Sequence, residues 1–194
     1  IGISSIVYIF ISAGFKFNLA NSPFPYFSLL TESFFNRRYD LIHPPANPFD
    51  LSVYKGAVYL PWGPFPAVAL LPLFTFVGTL SDRVYTALFG ALNVGIFYLV
   101  LIELYRYLQR KRDSFLYVLT LFFGFGTVHF SMTTIARVWF TSQVLSLTPF
   151  LCSLLFLIRF LYTKKPVFYI ISFGFFLLAF MGRVWYIFFL PTYV

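Results

Sequence analysis

Few residues of this chain could do chemistry. Asp50 stands in NPFDLSVYKG, where a carboxylate could act as a general base and take a proton from an attacking hydroxyl. An aspartate beside proline also suits a turn or a helix cap. Glu32, in YFSLLTESFFNRR, is a second possible catalytic carboxylate, or the solvated face of a helix. Asp40 follows Arg37 and Arg38 closely and reads most simply as a surface ion-pair partner. Arg83, Arg137 and Arg183 each stand at the edge of an apolar run. Arginine matches phosphate oxygens bidentately, so three converging arginines would suit a lipid-linked phosphate. Snorkelling at helix ends is the alternative for each. Arg183 is the most suggestive, because it splits LLAFMGRVWYIFFLP, and a charge there is costly unless paired or functional. Tyr54, Lys55 and Tyr59, in VYKGAVYLPWGP, could line a sugar or phosphate site, although aromatic residues are also enriched at membrane interfaces. His129 and Trp139 flank a further loop and could face the same cavity or pack between helices.

Other chemistries find no footing. There is no Gly-rich phosphate loop, HExxH or GxSxG pattern. Three scattered acids make no recognisable metal site, so no cofactor is expected and a divalent metal is not indicated. Cys152 is single and reads as a small core residue. The net charge of +8 would suggest nucleic acid in a soluble protein. Here the basic residues gather in short loops between apolar runs, the pattern of topology signals and anionic-lipid contacts. No nucleic-acid partner is expected.

The elements that must position these residues are membrane helices. The 194 residues are 60% hydrophobic, 24% aromatic and 10% charged, against about 25% charged in soluble domains. A soluble fold could not hide that apolar surface, so lipid is the expected solvent. The fold class expected is all-α, a polytopic transmembrane bundle with a long first extracytoplasmic loop, and 1–194 reads as one transmembrane-domain fragment of a longer protein. Residues 1–15 read as the end of a first span, 16–80 as the loop, and 81–194 as further spans: 84–104, 115–130, 139–162, a shorter 167–182, and a last one beginning at 184. Within the loop, 26–38 reads as an interfacial amphipathic helix. Residues 64–80 are apolar but interrupted by Pro64, Pro66 and Pro72. Proline removes backbone donors that lipid cannot replace, so a re-entrant or juxtamembrane helix is favoured over a span. Arg106, Arg110, Lys111 and Arg112, and likewise Arg159, Lys164 and Lys165, mark one side as cytoplasmic. Arg83, Arg137 and Arg183 then face the other side, together with the loop. Glu103 falls near a span end, where it can reach water.

Four stretches carry a family resemblance: YFSLLTESFFNRRYDL after a first span; DLSVYKGAVYLPWGPFPAVALLPLF; SDRVYTALFGALNVGIFYLVL; and GFGTVHFSMTTIARVWFTSQV with the later LLAFMGRVWYIFFLP. In order and spacing the chain resembles the GT-C integral-membrane glycosyltransferases, closest to the protein-mannosyltransferase-like group and its bacterial relatives. The resemblance implies a multi-pass plasma-membrane enzyme, inverting, with a polyprenyl-phosphate-linked sugar donor, a glycan, lipid or protein acceptor, and an extracytoplasmic active face. A loop carboxylate would activate the acceptor and basic residues would hold the carrier phosphate. Arg83 matches the family's arginine at the start of the second span, and Arg183 a later basic residue. The family's acidic pair after the first span has no counterpart in NLANSPFPYF, and ARVWFTS lacks the acid often found in the third outer loop. Catalysis would then fall to Asp50, or to Glu32 or Asp40. A polytopic transporter or flippase for a lipid-linked or anionic solute, and a non-catalytic membrane subunit of the same fold, are the competing readings.

Overall fold

The computed structural model describes residues 1–15, 20–46 and 48–193. Residues 16–19 at the start of the expected loop, residue 47 within it, and residue 194 of the expected last span lie outside the described residues. The described chain is predominantly helical: α1 (Gly2–Ser12), α2 (Tyr26–Phe35), α3 (Phe65–Val77), α4 (Asp82–Tyr107), α5 (Phe115–Phe125), α6 (Val128–Ile135), α7 (Val138–Thr163) and α8 (Pro166–Gly182), followed by a 3₁₀ segment over Val184–Tyr193. A single antiparallel hairpin, β1 (Ser52–Tyr54) and β2 (Ala57–Tyr59), departs from the all-α expectation.

Two helices, α4 and α7, are long and apolar enough to cross a membrane. Each has 26 residues, about 39 Å at 1.5 Å per residue, against a hydrocarbon core of about 30 Å. Helices α5 and α6 meet at a 45° bend and count as a third span if taken together. The bend has a local cause. Gly126 ends α5 with no room for a Cβ, which would stand 2.7 Å from the Phe122 ring, and Thr127 restarts the helix by accepting from the His129 N–H at 3.2 Å. A side-chain oxygen at that position satisfies one of the free N–H groups of a new helix.

For helices that cross a membrane, lipid gives no hydrophobic drive to associate, and close approach and hydrogen bonds take its place. Both are present. Gly90 on α4 lies so near Thr133 that a Cβ would fall 2.2 Å from its methyl. Asn93 donates to the Val144 carbonyl at 2.8 Å and accepts from Thr148 at 2.6 Å, and the Thr86 and Thr141 hydroxyls meet at 3.0 Å. The hydrogen bonds join α4 to α7, and the Gly90 contact joins α4 to α6. Tyr8 of α1 donates to the Gly124 carbonyl at 2.6 Å. Large apolar side chains point outward instead, among them Tyr117, Leu121 and Phe122 on α5 and Ile170 on α8.

The proline-rich region 43–72 folds over one end of these helices. Helix α3 has 13 residues, about 20 Å, too short to cross about 30 Å of hydrocarbon. Its first residue, Phe65, sits against Gly182 at the end of α8, and the Ser28 hydroxyl of α2 donates to the Leu80 carbonyl just before α4 at 3.3 Å. Both ends of α3 therefore lie where α8 ends and α4 begins. Helix α2 buries Tyr26, Phe27 and Leu30 together with Ser28, Thr31 and Ser33. It is packed under the loop as well as against α3, more enclosed than an isolated interfacial helix. The hairpin turns on Lys55 and Gly56, both with positive φ (49° and 78°), the backbone a two-residue hairpin loop requires.

Candidate functional site

The loop-bearing end is held to the long helices by Asp82, which the sequence reading passes over in favour of its neighbour Arg83. Asp82 is buried; one carboxylate oxygen accepts the Ser22 N–H at 2.7 Å and the other the Ser22 hydroxyl. Ser81 donates to the Ala20 carbonyl at 3.1 Å beside it. An acid in the first turn is favoured by the helix dipole. That it would be claimed by a serine 60 positions earlier leaves no local signal in the sequence.

Arg183 lies at the junction of loop and helices. Its guanidinium donates to the Trp139 carbonyl at 2.6 Å and covers the Trp62 ring at 4.6 Å. Its Nε is buried with no hydrogen-bond partner, and among the described residues no carboxylate pairs with it. Arg183 also lines a cavity of about 470 Å³, with His129 and Gln143 as polar neighbours and Phe123, Trp185 and Phe189 among the apolar walls. Pockets for small molecules run from about 300 to 1,000 Å³. His129 is buried beside the Phe123 ring, 4.6 Å between centroids, with neither ring nitrogen hydrogen-bonded. It forms part of the cavity wall.

No ion pair among the described residues joins Arg137 to Arg183. Arg137 is exposed at the residue before α7, two positions from Trp139, and makes no ion pair among the described residues. Arg83 is half-buried next to Asp82 on the first turn of α4.

The three loop acids stand apart in role. Asp40 is paired with Arg38, whose Nε donates at 3.1 Å; that hydrogen bond and charge hold its carboxyl below the usual aspartate range. Glu32 lies 3.8 Å from His43. Asp50 is exposed, in a turn with φ 59°, and has no ion pair or side-chain hydrogen bond among the described residues. A short polar side chain tolerates that backbone. Its surroundings are aromatic. Tyr26 donates to the carbonyl of Phe49 at 2.7 Å. Burial, and then the Asp50 carboxylate, push the Tyr26 phenol up. The Phe49 ring packs 6.4 Å from Trp139, and Phe24 touches both. Trp139 thus joins the two features: its ring packs on the neighbour of Asp50 and its carbonyl receives Arg183.

Tyr54 and Lys55 form the exposed hairpin tip, the ammonium 5.3 Å over the tyrosine ring, and Tyr59 is half-buried on β2. The structure gives Lys55 a turn-forming role and brings none of these three to the cavity wall. Glu103, expected to reach water, is instead buried. It accepts from Arg106 at 2.8 Å, Arg159 at 2.5 Å and Tyr162 at 2.5 Å, which ties α4 to α7 at the far end.

No family model matches the chain, and no curated protein or solved structure shows significant similarity to it.

Proposed function

We propose that the protein is a multi-pass membrane glycosyltransferase that moves a sugar from a polyprenyl-phosphate carrier to an acceptor on the extracytoplasmic side. One observation carries this reading: Arg183, a cation with no counter-ion among the described residues, lines a largely apolar cavity at the loop-bearing end. A half-buried charge without a counter-ion is costly, and an anion on an apolar tail would relieve that cost while filling the cavity. The carrier phosphate supplies the anion and its isoprenoid supplies the tail.

The chemistry assigned to the chain is a single displacement. Asp50, without an ion pair among the described residues, takes the proton of the acceptor hydroxyl. The acceptor oxygen bonds to the anomeric carbon from the face opposite the phosphate, with inversion. The bond from that carbon to the phosphate oxygen breaks, and the carrier phosphate leaves with its added negative charge facing Arg183. Arg83 and Arg137 add positive potential at the same end, and Lys55, Tyr54 and Tyr59 lie on the loop above it. Glu32 and Asp40, already engaged with His43 and Arg38, hold structural posts.

The test is transfer from a panel of polyprenyl-phosphate-linked hexoses in membranes carrying the protein. Asp50→Asn keeps the turn and removes the base. Loss of a general base costs about 10²–10⁴ in rate, so Asp50→Asn is expected to fall at least about a hundredfold with little change in donor KM. Transfer at the parent rate would remove Asp50 from the chemistry and favour the non-catalytic reading.

A further inference from the structure

The end of the helices opposite the loop carries an excess of cations that its acids do not answer. Seven basic side chains lie there (106, 110–112, 159, 164 and 165) against two acids, Glu103 and Asp113, leaving a net +5. Glu103 is buried, and Asp113, although exposed, is engaged by its own neighbours. Glu103 is enclosed by Arg106, Arg159 and Tyr162. Asp113 starts α5, accepting the Phe115 N–H at 3.1 Å and the Tyr105 hydroxyl at 3.2 Å. Arg110, Lys111 and Arg112 in one loop, and Lys164 and Lys165 in the next, are all exposed, and none makes an ion pair among the described residues.

The two loops are neighbours because Glu103 and Arg159 lock α4 to α7 two turns or less before each helix ends. The five free cations therefore form one surface next to the ends of two membrane-length helices. We infer that this surface binds the headgroups of anionic membrane phospholipids, seated against both loops at once. The place of the charges selects this partner. Clusters of four to eight Lys and Arg directly beside a membrane helix attract anionic headgroups within a Debye length of the surface. The aromatic flank, with the Tyr98 and Tyr117 rings stacked at 5.7 Å, suits the headgroup level. The inference is independent of the transferase reading.

The experiment uses the purified chain with Cys152→Ser and Ser114→Cys, carrying a fluorophore at position 114, in vesicles of equal parts phosphatidylcholine and phosphatidylglycerol. Either lipid is brominated in turn to quench the dye. Trp62, Trp139 and Trp185 all lie at the loop-bearing end or just past Arg183, so their emission serves as an internal control. Quenching at 114 is expected to favour brominated phosphatidylglycerol several-fold at low salt. At about 1 M salt, where the screening length is near 3 Å, the preference should vanish. Changing Arg110, Lys111, Arg112, Lys164 and Lys165 to Gln should abolish it while the tryptophan signal stays as it was. Equal quenching by both lipids at low salt, or a preference that survives the five changes, overturns the inference. The first of these results would point to an acidic protein partner instead.

Discussion

Replacing Arg183 with Met separates the cost of holding the charge from its use. Two contacts are lost, and each has a typical worth. A hydrogen bond from a charged donor, here to the Trp139 carbonyl at 2.6 Å, contributes about 1.5–3 kcal/mol. A cation over an indole face, here 4.6 Å above Trp62, contributes about 0.5–2 kcal/mol. Against them stands the desolvation of a charge with no counter-ion, several kcal/mol by itself. The two sides nearly cancel, and Met keeps most of the volume. Arg183→Met should therefore change unfolding stability in nanodiscs by no more than about 1.5 kcal/mol in either direction. Affinity for a short-chain polyprenyl phosphate should fall by at least about tenfold, since one charged contact to phosphate is worth about 1.5–3 kcal/mol. Lysine at this position should recover part of the binding, as it keeps the charge but not the two-pronged geometry. The assays are thermal unfolding and calorimetric titration of the same preparation. A destabilisation of several kcal/mol with unchanged binding would refute the reasoning, because the arginine would then be a structural brace for Trp139 and Trp62.

Three further outcomes follow from the geometry. Gly63→Ala would set a Cβ 2.3 Å and 2.5 Å from the carbonyl oxygens of Met181 and Gly182; these are backbone atoms, so the loop must lift from α8. A loss of about 1–3 kcal/mol and faster proteolysis within 43–62 are expected. Glu103→Gln removes the partner of Arg106 and Arg159 inside the helix packing and should cost about 3–5 kcal/mol, read as a lower unfolding temperature in the same nanodiscs. For Asp40, whose carboxyl Arg38 holds below the ordinary range, the sign is that of a depressed acid: its stabilisation is present above the unfolded-state pKa and is lost as pH falls through the lower folded one. The carboxyl carbon resonance of Asp40 should therefore titrate below the ordinary value near 3.9, and Arg38→Gln should return it there. Because the pair is exposed, the unfolding temperature at neutral pH should not move measurably.

The helices were legible in the sequence because long apolar runs follow a simple rule. A long apolar run must satisfy its own backbone, so the runs at 84–104 and 139–162 became α4 and α7 with only a turn or less added at the ends. The run at 115–130 became a bent pair, and its bend is written in Gly126 and Thr127. The 26–38 helix and the shortness of 64–80 also came through, since helical spacing and proline are local signals. What stayed hidden depends on partners far along the chain. Asp82 is bound by Ser22, and Glu103 is enclosed by Arg159 and Tyr162; no window of sequence contains either set. The hairpin had a local signal, two three-residue alternations around Lys55-Gly56, but a lysine in a left-handed turn position is a weak cue beside Asn-Gly, and the prolines around it drew attention to chain reversal alone. Of the residues lining the cavity, Arg183 drew notice by splitting an apolar run and His129 by flanking a loop. It could not show that Trp139 would link Arg183 to the turn of Asp50.

The central claim is that Asp50 and Arg183 work on the extracytoplasmic side, and sidedness tests it directly. The protein is made with Cys152→Ser and Asp50→Cys, position 50 being exposed in its turn. Intact cells are treated with a membrane-impermeant maleimide, with lysed cells as the control. The account predicts labelling in intact cells. Labelling only after lysis would place the loop and its arginines in the cytoplasm and contradict a transferase that draws its donor from the outer face.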